Sequence, residues 1–272
     1  MADAKQIEDK TKEAEDELAG SEAPLLDHLI ELRKRLIYSA VTIVVLMAFC
    51  FIFASTIYDW LLIPYKNAVP DSDLIFTAPQ ELFFTYLNVA FFGAMFLGFP
   101  MIASQIYMFV APGLYKHERK AFLPYLIATP LFFVAGAALV YFIVLPMALH
   151  FFAGMQTEDI KLMSRVSEYL GFAMLLILAF GICFQLPVIL TLLAQIDLVH
   201  VDVLKKGRRY AIVGILIFAA FITPPDPISQ IGLALPMYAL YELSIISVRM
   251  IEKRRAAALA AQEAELSGSS SE

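Results

Sequence analysis

The sequence predicts an all-α, polytopic membrane protein with six transmembrane helices, and three observations predict it. Of 272 residues, 60% are hydrophobic and only 17% are charged, at a mean hydropathy of +0.72, well above the apolar share of water-soluble domains. The apolar residues gather into six runs, most of them near the ~20 residues a helix needs to cross a bilayer. The basic residues fall between alternate runs, the asymmetry that orients spans. The net charge of -6 says little about this body, because eight acids lie within the first 22 residues.

The chain divides into a tail over 1–23, a membrane domain over 24–252 and a second tail over 253–272. Both tails are rich in Ala, Glu, Lys and Ser and are expected to be disordered or weakly helical. The acidic start lacks the basic region of a cleavable signal peptide. Within PLLDHLIELRKRL, Leu25, Leu29, Leu32 and Leu36 recur at helical spacing, so an amphipathic surface helix is expected to lead into the first span, Leu36 to Ala54. The second span runs from about Leu82 to Val110, with a kink expected at Gly98 and Pro100. The third covers Leu123 to Phe152 and contains Pro130 and Pro146. The fourth covers Leu170 to Ile196 around Pro187. The fifth, Tyr210 to Ile222, is short: it reaches only roughly 20 Å against a hydrocarbon core of about 30 Å, so the bilayer beside it is expected to be thinned. The sixth covers Ile228 to Met250 and holds Pro236 and Glu242.

Orientation follows from the short connections. Arg33, Lys34 and Arg35 precede the first span, and Lys116, Arg119 and Lys120 separate the second from the third. Lys205, Lys206, Arg208 and Arg209 precede the fifth, and Arg249, Lys253, Arg254 and Arg255 close the sixth. The opposite connections carry Lys66, Lys161 and Arg165. Both termini are therefore expected on the cytoplasmic side. Of the outward connections, Tyr58 to Glu81 and Gly154 to Glu168 have room for short amphipathic helices. Thr223-Pro224-Pro225-Asp226-Pro227 is a rigid turn that forces the last two spans into an antiparallel hairpin.

Candidate functional groups are few. Glu31 and Glu118 each sit among cations at the same predicted face and depth. Spacing alone also lets Glu31 pair with Arg35 one turn on, and Glu118 with its basic neighbours, each for a few tenths of a kcal/mol. Gln185 and Glu242 lie within apolar runs, where polar groups are costly and face protein or water. A helix–helix hydrogen bond accounts for Gln185 and a basic partner near the interface for Glu242. His28, His117, His150 and His200 are scattered, no metal-ligand spacing occurs, and Cys50 and Cys183 are expected as buried free thiols.

Five stretches together carry a family resemblance: HLIELRKRL at His28 to Leu36, APGLYKHERK at Ala111 to Lys120, FGICFQLPV around Gln185, ITPPDPISQ at Ile222 to Gln230 and PMYALYELS at Pro236 to Ser244. In this order they resemble the TatC family, the multispanning receptor of the twin-arginine protein translocase. The resemblance implies a glove-shaped, concave six-helix bundle in the bacterial cytoplasmic (inner) membrane, with no enzymatic activity and no cofactor. It implies that acids at Glu31 and Glu118, with Phe109 beside them, bind the paired arginines of signal peptides on folded cargo. It also implies homo- or hetero-oligomers and small single-span TatA/TatB-type partners. These are expected to dock on the last hairpin, with Asp226 and Met237, and at Gln185. At Gln185 this chain departs from many relatives, which carry glutamate there.

The competing class is a secondary transporter of a small solute, which predicts inverted repeats and charged groups at mid-bilayer. The sequence has no internal repeat and few deep ionisable residues. An intramembrane enzyme would need a Ser-His pair, paired aspartates or HExxH, and none occurs. Nothing in the charge pattern suggests a nucleic-acid partner.

Overall fold

The computed structural model describes residues 28–70, 74–110, 123–157, 163–222 and 227–269. Every regular element among them is helical: α1 (His28–Ile52), α2 (Ala54–Ala68), α3 (Glu81–Val110), α4 (Leu123–Leu139), a π-helical turn (Val140–Val144), α5 (Leu145–Ala153), α6 (Val166–Cys183), α7 (Leu186–Gln195), α8 (Val201–Ile222) and α9 (Pro227–Ser269). Among the described residues, five stretches are long and apolar enough to cross a membrane: His28–Ile52, Glu81–Phe109, Tyr125–Ala153, Val166–Gln195 and Gln230–Ala257. Helix α8 runs 22 residues, but its first turns carry Lys205, Lys206, Arg208 and Arg209, which leaves the short apolar part the sequence predicts.

Prolines explain the interruptions. Pro146 has no N–H for the Phe142 carbonyl, and just before it the helix widens into the π turn, where Leu145 N–H donates to the Val140 carbonyl. Pro187 likewise cannot serve the Cys183 carbonyl, and the fourth span breaks at Phe184-Gln185 before resuming as α7. Pro64 lies inside α2 and leaves the Trp60 carbonyl without its helical donor; the Tyr141 hydroxyl donates there instead, at 2.8 Å. Pro100 lies within an α3 that stays helical on both sides of it.

The core sits where α2, α3, the π turn, α5 and α6 meet, around Val89, Val140, Leu145, Leu170, Leu176 and Phe180, and extends to Leu233 and Met237 of α9. Helices α4 and α6 cross closely through two glycines. A Cβ on Gly181 would lie 2.5 Å from the Phe133 ring, and one on Gly136 would lie 2.7 Å from the Phe180 carbonyl, so no larger residue fits at this crossing. Large apolar side chains such as Val44, Ile127, Leu131, Phe142, Phe221 and Leu235 face outward, the arrangement a lipid solvent favours. Cys50 and Cys183 are buried free thiols.

The α8–α9 hairpin is antiparallel: the Tyr241 hydroxyl donates to the Leu204 carbonyl at 2.8 Å and Gln230 Nε2 to the Leu216 carbonyl at 3.1 Å. The turn residues 223–226, Asp226 among them, lie outside the described residues.

The amphipathic start feeds straight into the first span, as expected: from His28 the helix is continuous, because Arg33, Lys34 and Arg35 are good helix formers and nothing breaks the run. Of the two states expected for the second tail, disordered or weakly helical, the helical one is found: α9 continues to Ser269, as the Ala-, Arg- and Glu-rich stretch Arg254 to Leu266 favours. One expectation changes. The connection after α5 forms no helix among its described residues. Its end runs extended instead, pairing as a parallel bridge between Ile75 and Arg165, with Ile75 N–H to the Ser164 carbonyl (3.1 Å) and Val166 N–H to the Ile75 carbonyl (2.9 Å).

Candidate functional site

Most of the described cations lie at one end of the bundle, Lys66 and Arg165 excepted, and there the start of α1 lies against the end of α3. The His28 and Phe109 rings stack at 4.2 Å between centroids and 21° between planes. One turn on, Arg35 Nη2 donates to Glu31 Oε1 at 3.1 Å, while Nη1 donates to Gln105 Oε1 at 3.2 Å and approaches Met108 Sδ at 3.5 Å. Helical periodicity builds both halves. Glu31 and Arg35 are four apart on α1; Gln105, Met108 and Phe109 recur at three- and four-residue steps on α3.

Gln105 is 4% exposed, whereas the Glu31 and Arg35 side chains keep 30% and 26% of their surface. Arg33 and Lys34 stand exposed beside them. Among the described residues Arg35 is Glu31's one partner, and it engages a single carboxylate oxygen. A carboxylate has about four acceptor positions, so Glu31 can take further donors. The buried Arg35 Nε has no acceptor. This patch can therefore hold one guanidinium in place and offer its carboxylate to another.

Of the sequence-predicted site residues, the structure brings Glu31 and Phe109 together. Glu118, with the rest of 111–122, lies outside the described residues. Gln185 sits in the break between α6 and α7, 6% exposed, its Nε2 donating to the carbonyls of Thr129 (3.1 Å) and Gly181 (3.3 Å). Its Oε1 is buried without a donor. Thr129 Oγ1 in turn meets the Tyr107 hydroxyl at 2.7 Å. The helix–helix hydrogen bond expected for Gln185 is thus present. Met237 is 4% exposed and packed in the core, so it offers no free surface to a partner; an all-apolar run does not reveal which of its faces is buried. Glu242 accepts from Arg208 Nη2 at 2.7 Å and from the Tyr238 hydroxyl at 3.0 Å, the interfacial pairing expected of it.

Sequence reasoning missed two groups. One is the Gln105–Met108 support for Arg35, whose only trace is a polar Ser104-Gln105 step in an apolar run. The other is Glu81, at the opposite end of the bundle. Its Oε2 accepts from Thr77 N–H (2.8 Å), Thr77 Oγ1 (3.2 Å) and Arg165 Nη2 (3.2 Å), and its Oε1 accepts from Ser167 Oγ (2.6 Å). No metal-binding group of His, Cys, Asp or Glu forms among the described residues.

A family model described as Sec-independent protein translocase protein (TatC) matches residues 27–236. Among curated relatives, the Sec-independent protein translocase protein TatC of Magnetococcus marinus is 43% identical over 244 residues, 89% of this chain and 90% of that protein. The Escherichia coli K12 protein of the same name is 37% identical over 227 residues, 83% of this chain and 88% of that one. A crystal structure of the twin arginine translocase receptor TatC superposes with a TM-score of 0.76 at 33% identity, covering 83% of this chain and 99% of the other.

Proposed function

Since the chain belongs to the TatC family and is the multi-pass receptor core of the twin-arginine translocase, a transport protein and not an enzyme, we propose that the Glu31–Phe109 patch reads the paired arginines of export signals. The observation that carries this is the Glu31–Arg35 pair, a carboxylate already matched to a guanidinium and still short of donors. A guanidinium fork meets a carboxylate with two parallel bonds, which an ammonium cannot do. Glu118, nine residues after Phe109 in the sequence, supplies the second carboxylate, so that two adjacent arginines find two acids. Arg33 and Lys34 repel basic peptides that lack this match.

Arg35 is then the resident guanidinium that keeps Glu31 oriented until a signal arrives. The end of the bundle that holds this patch faces the cytoplasm, as the gathering of Arg33, Lys34, Arg35, Lys205, Lys206, Arg208 and Arg209 there favours. Both termini lie on that side. Small single-span partners of the TatA/TatB type dock on the outer face of the α8–α9 hairpin, where Ile217, Phe221, Ile231 and Leu235 are all more than half exposed. The core position of Met237 moves that surface away from it.

The test is photo-crosslinking of a twin-arginine peptide to the purified protein, with a twin-lysine peptide for comparison. The wild-type protein should crosslink the arginine form preferentially, and Glu31→Gln and Glu118→Gln should each lower the yield with folding intact. Undiminished crosslinking in both variants would overturn the reading.

A further inference from the structure

A second polar feature lies at the same end of the bundle and takes no part in the Glu31 patch. Tyr125 of α4, Gln195 of α7 and Ile251, Arg254 and Arg255 of α9 enclose a cavity of about 410 Å³. That is within the range of small-ligand sites, roughly 300–1,000 Å³. Its position in the membrane is set by the spans themselves. Tyr125 opens the span Tyr125–Ala153, Gln195 closes Val166–Gln195, and Ile251 and the arginines belong to the last turns of Gln230–Ala257. Three span ends meet at one level, which is the level of the lipid headgroups.

The chemistry of the lining is lopsided. Two guanidinium groups, a phenol and a primary amide supply donors; of the nearby acids, Asp197 takes up one of those guanidiniums, Arg255, and Glu252 is engaged at the start of α8. Asp197 binds Arg255 at 2.8 Å, held in place by a positive backbone φ of 62° at the end of α7. Glu252 accepts from Val201 N–H at 2.9 Å, closing the start of α8, and lies 3.7 Å from His200. Arg254 has no carboxylate partner among the described residues, and Arg249 and Lys253 add charge along the same helix. A guanidinium fork matches phosphate oxygens as it matches carboxylates, and basic pockets between span ends on the cytoplasmic side suit anionic headgroups.

We propose that this cavity binds the phosphate headgroup of an anionic membrane phospholipid, with Arg254 as the principal contact and Tyr125, Gln195 and Arg255 around it. The occupant is a lipid, not a free anion, because the cavity lies where bilayer phosphates already stand at high local concentration. The bound headgroup ties the ends of the third, fourth and sixth spans together.

The experiment follows the apparent melting temperature of the full chain in detergent micelles doped with phosphatidylglycerol, with phosphatidylcholine or with inorganic phosphate. Phosphatidylglycerol should stabilise the protein saturably, and the other two should not. Arg254→Gln should weaken its half-saturating concentration about tenfold, and Arg254→Lys, which keeps the charge and loses the fork, by less. Arg249→Gln, on the same helix but outside the cavity, should leave it unchanged. Equal stabilisation by phosphatidylcholine or by inorganic phosphate, or equal losses for Arg249→Gln and Arg254→Gln, would overturn the proposal. Twin-arginine crosslinking is read on the same variants and should persist in Arg254→Gln, so this site and the Glu31 patch fail separately.

Discussion

Two glutamate–arginine pairs of nearly equal length stand at opposite ends of this bundle. Glu31 and Arg35 meet at 3.1 Å at the cationic end, and Glu81 and Arg165 at 3.2 Å at the other. Distance does not distinguish them; surroundings do. The Glu81 side chain is 6% exposed and accepts four hydrogen bonds, from Thr77 twice, Arg165 and Ser167. Its acceptor capacity is spent, and those bonds join the start of α3 to the start of α6. Glu31 is 30% exposed and accepts from one partner. Capacity left over marks a carboxylate that can receive a ligand, and capacity used up marks one that holds the fold.

The comparison breaks first at its structural side. Glu81→Ala removes the acceptor of Thr77, Arg165 and Ser167 and should lower the apparent melting temperature by more than a surface substitution does. A fall no greater than that of a surface substitution would remove the distinction between the two ends. Glu31→Gln should invert this pattern. Its stability should change by about 0.5 kcal/mol at most, while twin-arginine peptide affinity drops about tenfold or more through loss of charge-assisted bonds. The smallest effect belongs to Arg35→Gln. Freeing Glu31 from its resident guanidinium should tighten peptide binding about twofold, since a partly exposed pair is worth roughly 0.5 kcal/mol. Weaker binding in that variant would show that Arg35 belongs to the peptide's own grip and does not compete with it.

Much of the candidate site was legible early. HLIELRKRL places an acid among cations at the mouth of a span, and the family motifs point to Phe109, which stacks on His28 at that end of the bundle; Glu118 lies outside the described residues. Gln185 was legible as a helix–helix contact, because a lone amide in an apolar run needs a partner. Met237 misled, since it lies in a run that is apolar on every side. The Glu81 cluster was invisible because its four members are ordinary polar residues at the starts of two helices far apart in the chain, or just before them.

Local features of the chain suffice for the five long spans, the short apolar part of α8 and the placing of Glu31 among cations. Hydrophobic run length and charge placement act over a few residues and need no partner to be expressed. Only the folded bundle decides which groups meet across it: Arg35 with Gln105, 70 residues on, and Glu81 with Ser167, 86 residues on. It also decides which apolar face packs inward. Lipid tails and a protein core are equally apolar, so hydrophobicity alone cannot choose between them, and close packing at sites such as Gly136 and Gly181 makes the choice.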